Sequence, residues 1–161
     1  LRMPQEVYSA SGIVGNGRRL KSFVFTTDLA IIRNCDADAV FAVYPFTPQQ
    51  AISHAIIQAS YIPVFCGVGG GTTKGMRTLQ LAQDVEGQGA MGVVLNSPIS
   101  DLNLLAVSRV VDIPVIIPII ASGGKTGESI AETIAAGANA ITYTPPSPAV
   151  LFKEMMEKYR E

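Results

Sequence analysis

Residues 111–124, VDIPVIIPIIASGG, decide the fold because they hold two strand starts with no helix between them. One apolar run opens at residues 113–116 (IPVI), and a second opens immediately afterwards at residues 117–120 (IPII). A single buried strand rarely holds two prolines, because each proline removes a ladder donor. The stretch therefore predicts two separate strands that meet at Ile116 and Ile117.

Strand patterns alternate with helix patterns along the rest of the chain, and the alternation repeats. Two kinds of strand alternate. One kind begins with Ile-Pro, and the other follows a short alanine-containing segment such as residues 36–39 (DADA). One full cycle, from Pro63 to Pro114, takes about 51 positions, whereas Pro114 and Pro118 are about 4 apart. By this pattern about 47 residues, roughly one and a half βα units, are lacking between Ile116 and Ile117. Restoring them gives eight parallel strands, the number that closes a TIM (β/α)8 barrel.

The fold expectation is thus α/β, a parallel barrel sheet covered by helices, in a single domain over residues 1–161. Residues 1–21 contain the tight-turn signal Gly15-Asn16-Gly17 and are expected to form an N-terminal hairpin or lid. An open doubly wound sheet, with residues 67–73 as its nucleotide site, is the alternative architecture.

Composition excludes several classes of function. The formal net charge is -1 and the pI is near 5.8, so no basic face is available for nucleic acid. The sequence has two cysteines, no secretory leader and no apolar run long enough to span a bilayer. These observations predict a cytoplasmic protein without a membrane or nucleic-acid partner.

Four motifs resemble those of a known group of proteins. They are CDADA (35–39), AVYPFTP (42–48), GVGGGTT (67–73) and AITYTPP (140–146), and the likeness in topology extends over nearly the whole chain. The chain resembles the phosphate-binding TIM barrels, the group that includes inosine monophosphate dehydrogenase and thiazole synthase. Within that group it is most similar to a little-studied bacterial family that carries a generic hydrolase label. The resemblance implies a role in bacterial metabolism.

The resemblance also implies where phosphate would bind. In the wider group, phosphate lies on the loops after strands seven and eight and at a helix start, which here are Ser122, Gly123, Gly124, Thr144 and Ser147. The sequence supports the first loop independently, because paired glycines after a buried strand let backbone amides approach an anion. The second loop departs from the group, since Pro145, Pro146 and Pro148 have no amide donors.

Working groups in a barrel lie at the carboxyl ends of the strands. Asp28 is the carboxylate that directly follows a strand end, so it is the candidate general acid or base, with a helix N-cap as the alternative role. Asn96, at the end of the fourth strand, is the second catalytic candidate, with a self-bonded turn residue as its alternative. The candidate substrate-binding residues are Thr26, Tyr44, Gly67, Gly69, Gly70, Gly71 and Thr72.

Other reactive residues give weaker signals. Cys66 lies in an apolar strand without a histidine nearby in sequence, which favours a packing role. His54 is the only histidine in the sequence, so no histidine-based metal site or serine–histidine triad is expected. Lys74 and Arg77, near the start of a helix, could meet an anion or simply be solvated. No metal and no cofactor is predicted.

The favoured function is an enzyme that acts on a small phosphorylated metabolite, with hydrolysis as the candidate reaction. A barrel that binds such a metabolite without catalysis is the first alternative, favoured by the scarcity of His, Glu and Lys at strand ends. The doubly wound nucleotide-binding domain is the second. The expected partner is a phosphorylated small molecule, and a homo-oligomer is left open.

Overall fold

The computed structural model describes residues 1–117 and 126–160. Its centre is a parallel sheet of six strands in the order β7-β6-β5-β4-β3-β8, beside a separate antiparallel pair, β1-β2. The strands are β1 (Ile13–Gly15), β2 (Arg18–Leu20), β3 (Ser22–Phe25), β4 (Ala39–Ala42), β5 (Val64–Gly70), β6 (Gly92–Asn96), β7 (Val115–Ile116) and β8 (Ile141–Tyr143).

Helices follow the strands of the parallel sheet in the predicted alternation. They are α1 (Leu29–Arg33), α2 (Gln50–Ala59), α3 (Met76–Gln88), α4 (Asp101–Val110), α5 (Gly127–Ala135) and α6 (Pro148–Lys158), and a short 3-10 helix (Gln5–Ser9) precedes them. Four of them begin at a side chain that accepts an amide hydrogen bond from the first turn, namely Asp28, Ser100, Thr126 and Ser147. Among the described residues, no helix has both the length and the hydropathy that crossing a membrane would require.

The two faces of the sheet pack against different partners. An outer core, around Val40, Cys66 and Leu95, includes the buried apolar side chains of α1 to α5. An inner core comprises Leu20, Phe23, Ala39, Phe41, Phe65 and Val94, none of which belongs to a helix. A doubly wound sheet places helices on both faces. The described helices bury their side chains on one face, as in a barrel, so the doubly wound alternative is wrong.

Three phenylalanines fill the inner core. The ring centroids of Phe23 and Phe41 are 4.9 Å apart, those of Phe23 and Phe65 5.3 Å, and those of Phe41 and Phe65 5.7 Å. Phe41 and Phe65 are direct partners on β4 and β5, and Phe23 lies on the same face of β3, two positions before the partner of Phe41. They make the inner face of the sheet a packed apolar layer.

The strand order confirms the predicted barrel arrangement with part of the barrel lacking. The last strand, β8, pairs in parallel with the first, β3, as barrel closure requires. The opposite edge is β7, which ends at Ile116 as predicted. Ile116 and Ile117 are consecutive in the 161-residue sequence, so that sequence does not contain the roughly one and a half βα units that the repeat pattern predicts there. The second predicted strand, at 117–120, lies outside the described residues apart from Ile117.

The N-terminal segment closes the amino ends of the strands. Asn16 and Gly17 both have positive φ, 48° and 75°, which gives the tight turn between β1 and β2. Leu20 packs into the inner core, and the amide of Gly12 donates to the carbonyl of Asn139, just before β8. The hairpin therefore lies at the end of the sheet opposite to the carboxyl ends.

Candidate functional site

The carboxyl ends of β3, β4, β5, β6 and β8 lie side by side along one edge of the sheet, which we call the mouth. Parallel pairing of neighbouring strands fixes this arrangement. Thr26, Tyr44, Asn96 and Thr144 each lie at or just after one of these strand ends. The structure thus brings these four candidates, predicted for catalysis, substrate binding or phosphate binding, to one edge.

The glycine-rich segment is less of a free loop than its sequence predicts. The strand β5 continues through these glycines and ends at Gly70. Gly67, Gly69 and Gly70 pair with Val94, Leu95 and Asn96 of β6, with an irregularity between Gly67 and Gly69. The backbone of these three glycines is therefore engaged in the sheet, and Gly71 and Thr72 form the exposed part of the segment.

Close packing explains two of the glycines. A side-chain carbon at Gly70 would overlap the carbonyl oxygen of Asn96, and one at Gly69 would overlap the hydroxyl of Thr78. Gly70 also has φ of +98°, a conformation that side chains disfavour. The glycine segment consequently lies directly against the backbone of the second catalytic candidate.

Hydrogen bonds hold the segment in place from three sides. The carbonyl of Thr73 accepts from the amide of Gly70 at 2.8 Å and from the hydroxyl of Thr78 at 3.1 Å. The amide of Gly71 donates to the carbonyl of Pro98 at 2.9 Å. Thr73 and Thr78 are buried, and sequence analysis missed both. The sequence signal that could have indicated them is Thr73 itself, the second threonine after the glycine run, which lies five residues before Thr78.

Asp28 is the N-cap of α1, so the structural role weighed for it is present. Its Oδ1 accepts from the amide of Ile31 at 3.0 Å, and its own amide donates to Oγ1 of Thr26 at 3.1 Å. Within the described residues, Oδ2 accepts no hydrogen bond. The cap uses Oδ1, so Oδ2 has no hydrogen-bond partner among the described residues.

Asn96 presents its amide on the inner face of the sheet. Val94, two positions earlier in β6, belongs to the inner core, and alternation places Asn96 on the same face. Its half-buried side-chain amide makes no hydrogen bond to the described residues, so the self-bonded turn is not observed. A donor and an acceptor are therefore both available to a polar ligand.

The remaining site candidates are held in local structure. The hydroxyl of Tyr44 accepts from the amide of Gln49 at 2.8 Å, which ties down the loop after β4. Ser147 caps α6, with its hydroxyl accepting from the amide of Val150 at 3.4 Å and Pro148 in the first turn. Thr144 is exposed in the loop between β8 and α6. Ser122, Gly123 and Gly124 lie outside the described residues.

Cysteine and histidine take no part in the mouth. Cys66 is fully buried in the outer core, and burial raises the pKa of its thiol to about 12. His54 is exposed on α2. In residues 1–117 and 126–160, no three His, Cys, Asp or Glu side chains group closely enough to hold a metal ion.

We expect Cys66 to resist alkylation in the folded protein, because the thiolate is the reactive form and burial disfavours it. The unfolded thiol ionises near pH about 8.5. The buried neutral thiol of Cys66 therefore contributes fully to stability below that pH. This contribution falls as the pH rises towards about 12. Iodoacetamide labelling of a Cys35→Ser variant, with and without urea, measures the resistance of Cys66 to alkylation. Rapid labelling without urea at neutral pH would contradict it.

Comparison with known proteins rests on structure alone. No family model matches the sequence, and comparison with curated proteins gives no match. A phosphonopyruvate hydrolase, solved in complex with oxalate and Mg²⁺, superposes with a TM-score of 0.50 at 13% identity, over 83% of this chain and 62% of the hydrolase. The fold is a partial TIM barrel.

Dihydrodipicolinate synthases give lower scores. The enzyme from Aquifex aeolicus has a TM-score of 0.45 at 19% identity, over 74% of this chain and 47% of the synthase. Another dihydrodipicolinate synthase has a TM-score of 0.49 at 13% identity, over 60% and 44% of the two chains. The partial barrel thus spans less than half the length of these two synthases, and at such identities the likeness concerns the fold.

Proposed function

We propose that this partial barrel is an enzyme that acts on a small phosphorylated metabolite at the mouth. The observation that carries the proposal is the pair of unused polar groups there, Oδ2 of Asp28 and the side-chain amide of Asn96. TIM barrels place their active sites at the carboxyl ends of their strands. An open carboxylate and an open amide at that edge are the groups that proton transfer and substrate orientation need.

The proposed roles follow from these positions. Asp28 acts as general acid or base through Oδ2, while Oδ1 remains on the amide of Ile31. Asn96 orients the reacting end of the substrate, and Gly71 with Thr72 forms one wall of the mouth. The proposal includes hydrolysis as the reaction and requires neither a metal nor a cofactor.

The phosphate group is proposed to lie between the loop of Ser122, Gly123 and Gly124 and the start of α6. The amides of the first turn of α6 point towards Ser147, and a helix start favours an anion. Pro148 removes one donor from that turn, so Thr144 and the hydroxyl of Ser147 supply the remaining polar contacts.

A binding barrel without catalysis remains the second candidate. The described mouth offers one carboxylate, Asp28, and that carboxylate already caps α1. A phosphorylated metabolite would then stabilise the protein without being converted. Thermal unfolding and turnover measured on one metabolite panel separate the two candidates, since stabilisation without turnover supports binding alone.

A pair of substitutions at Ser147 tests the phosphate site. Asp and Asn both cap helices well, so Ser147→Asp and Ser147→Asn should preserve α6, but only the first adds a negative charge. We expect Ser147→Asp to weaken the binding of phosphorylated ligands at least about tenfold, while Ser147→Asn stays close to the original protein. Isothermal titration with a phosphate monoester measures the affinities. Equal affinities for the two variants would rule out phosphate at this helix start.

A further inference from the structure

A groove runs between the start of α2 and the first two turns of α3, next to the mouth. Its volume is about 490 Å³, within the size range of small-molecule sites. Thr47, whose hydroxyl lies 3.5 Å from that of Thr73 at the mouth, directly precedes the groove residues in sequence. The lining residues are Pro48, Gln49, Gln50, Arg77, Gln80 and Leu81.

The polar side chains that line this groove are either positively charged or neutral. Arg77 is exposed, and no carboxylate of the described residues lies within ion-pair distance of it. The other polar side chains of the lining are three neutral glutamines, and no acidic residue is among them. A guanidinium without a counter-ion in a concave surface favours an anion, and it can bind a carboxylate or phosphate with two parallel hydrogen bonds.

The glutamines and the apolar residues define the rest of the ligand. A glutamine amide both donates and accepts, so Gln49, Gln50 and Gln80 suit hydroxyl or amide groups. Pro48 and Leu81 provide an apolar floor. The backbone amide of Gln49 already donates to the hydroxyl of Tyr44, so it adds nothing to anion binding. A small polar molecule with one anionic group matches this lining.

We propose that the groove between α2 and α3 binds the carboxylate or phosphate group of a small polar molecule, with Arg77 as the ion-pairing residue. This site does not depend on the proposed function, because it uses neither Asp28 nor the start of α6. From the sequence alone, Arg77 could be either a solvated residue or an anion contact. The proposed site assigns it the second role.

The test is an NMR titration of the isotope-labelled protein with inorganic phosphate and, separately, with acetate. We expect saturable shifts at the amides of Gln50, Arg77 and Gln80. Arg77→Gln should weaken this binding about tenfold, since it removes the charge from the hydrogen bonds. Arg109→Gln is the matched control, because Arg109 is also an exposed helical arginine but lies in α4, outside the groove.

The two anions distinguish the source of the negative charge. Binding of phosphate alone, or of acetate alone, supports the site and identifies its ligand chemistry. The absence of saturable shifts with both anions, or equal affinity of Arg77→Gln and Arg109→Gln, would overturn it. Shifts at Val150, in the first turn of α6, report on the proposed phosphate site independently, so failure of one site is distinguishable from failure of the other.

Discussion

Replacing Asp28 by Asn should lower the turnover of the substrate by a factor of about 10² to 10⁴, the usual contribution of a general acid or base. The fold should remain, because asparagine caps a helix nearly as well as aspartate and can still accept from the amide of Ile31. The amide cannot transfer the proton that Oδ2 of the carboxylate would carry. Steady-state kinetics on the converted metabolite, with thermal unfolding alongside, measures both parts.

Two further variants make this result interpretable. Asp28→Ala removes the cap as well, so it should lose about 1 kcal/mol of stability in addition to activity. Asp101→Asn changes an exposed carboxylate in the first turn of α4 and should leave the rate unchanged. A rate for Asp28→Asn within about twofold of the original protein would exclude general acid–base catalysis by this residue.

Replacing Gly70 by Ala should destabilise the protein by about 3 kcal/mol. Two effects combine at this position: positive φ costs about 1 to 2 kcal/mol for a residue with a side chain, and the new methyl group would overlap the carbonyl of Asn96. The backbone at Asn96 has to move to relieve the overlap. Urea unfolding measures the loss of stability as a lower midpoint.

Gly71→Ala is the matched control for this substitution. Gly71 also has positive φ, +64°, but a side-chain carbon there would meet no atom within 4 Å. This variant should lose only the conformational part, about 1 to 2 kcal/mol. The difference between the two variants therefore isolates the contact with Asn96. Equal midpoints for both would show that the strand ends of β5 and β6 are not packed as described.

Much of the fold was predictable because it depends on short-range sequence patterns. Apolar β-branched runs marked most of the parallel strands, and the side chain of Asp28 or Ser147 marked the start of a helix. The spacing of the Ile-Pro openings gave the lacking unit, which the positions of β7 and β8 at opposite edges confirm. These signals are local, so they survive without knowledge of the three-dimensional neighbours.

The parts that could not be predicted depend on contacts between distant segments. Gly67 to Gly70 have the composition of a loop, yet they form strand because β6 supplies hydrogen-bond partners for them. The helix α2 begins at Gln50, after Gln49 has been engaged by the hydroxyl of Tyr44. The groove at Arg77 arises from the approach of two helices, which no single stretch of sequence specifies.

The pairing of β8 with β3 has a consequence for how the protein is made. The side-chain amide of Asn139 donates to the hydroxyl of Ser11 across a separation of 128 residues, beside the place where the two strands meet. During synthesis, the edge of β3 that pairs with β8 therefore stays unpaired until nearly the whole chain has left the ribosome. Contacts between such distant segments slow folding. A nascent chain stalled before Ile141 would expose that edge.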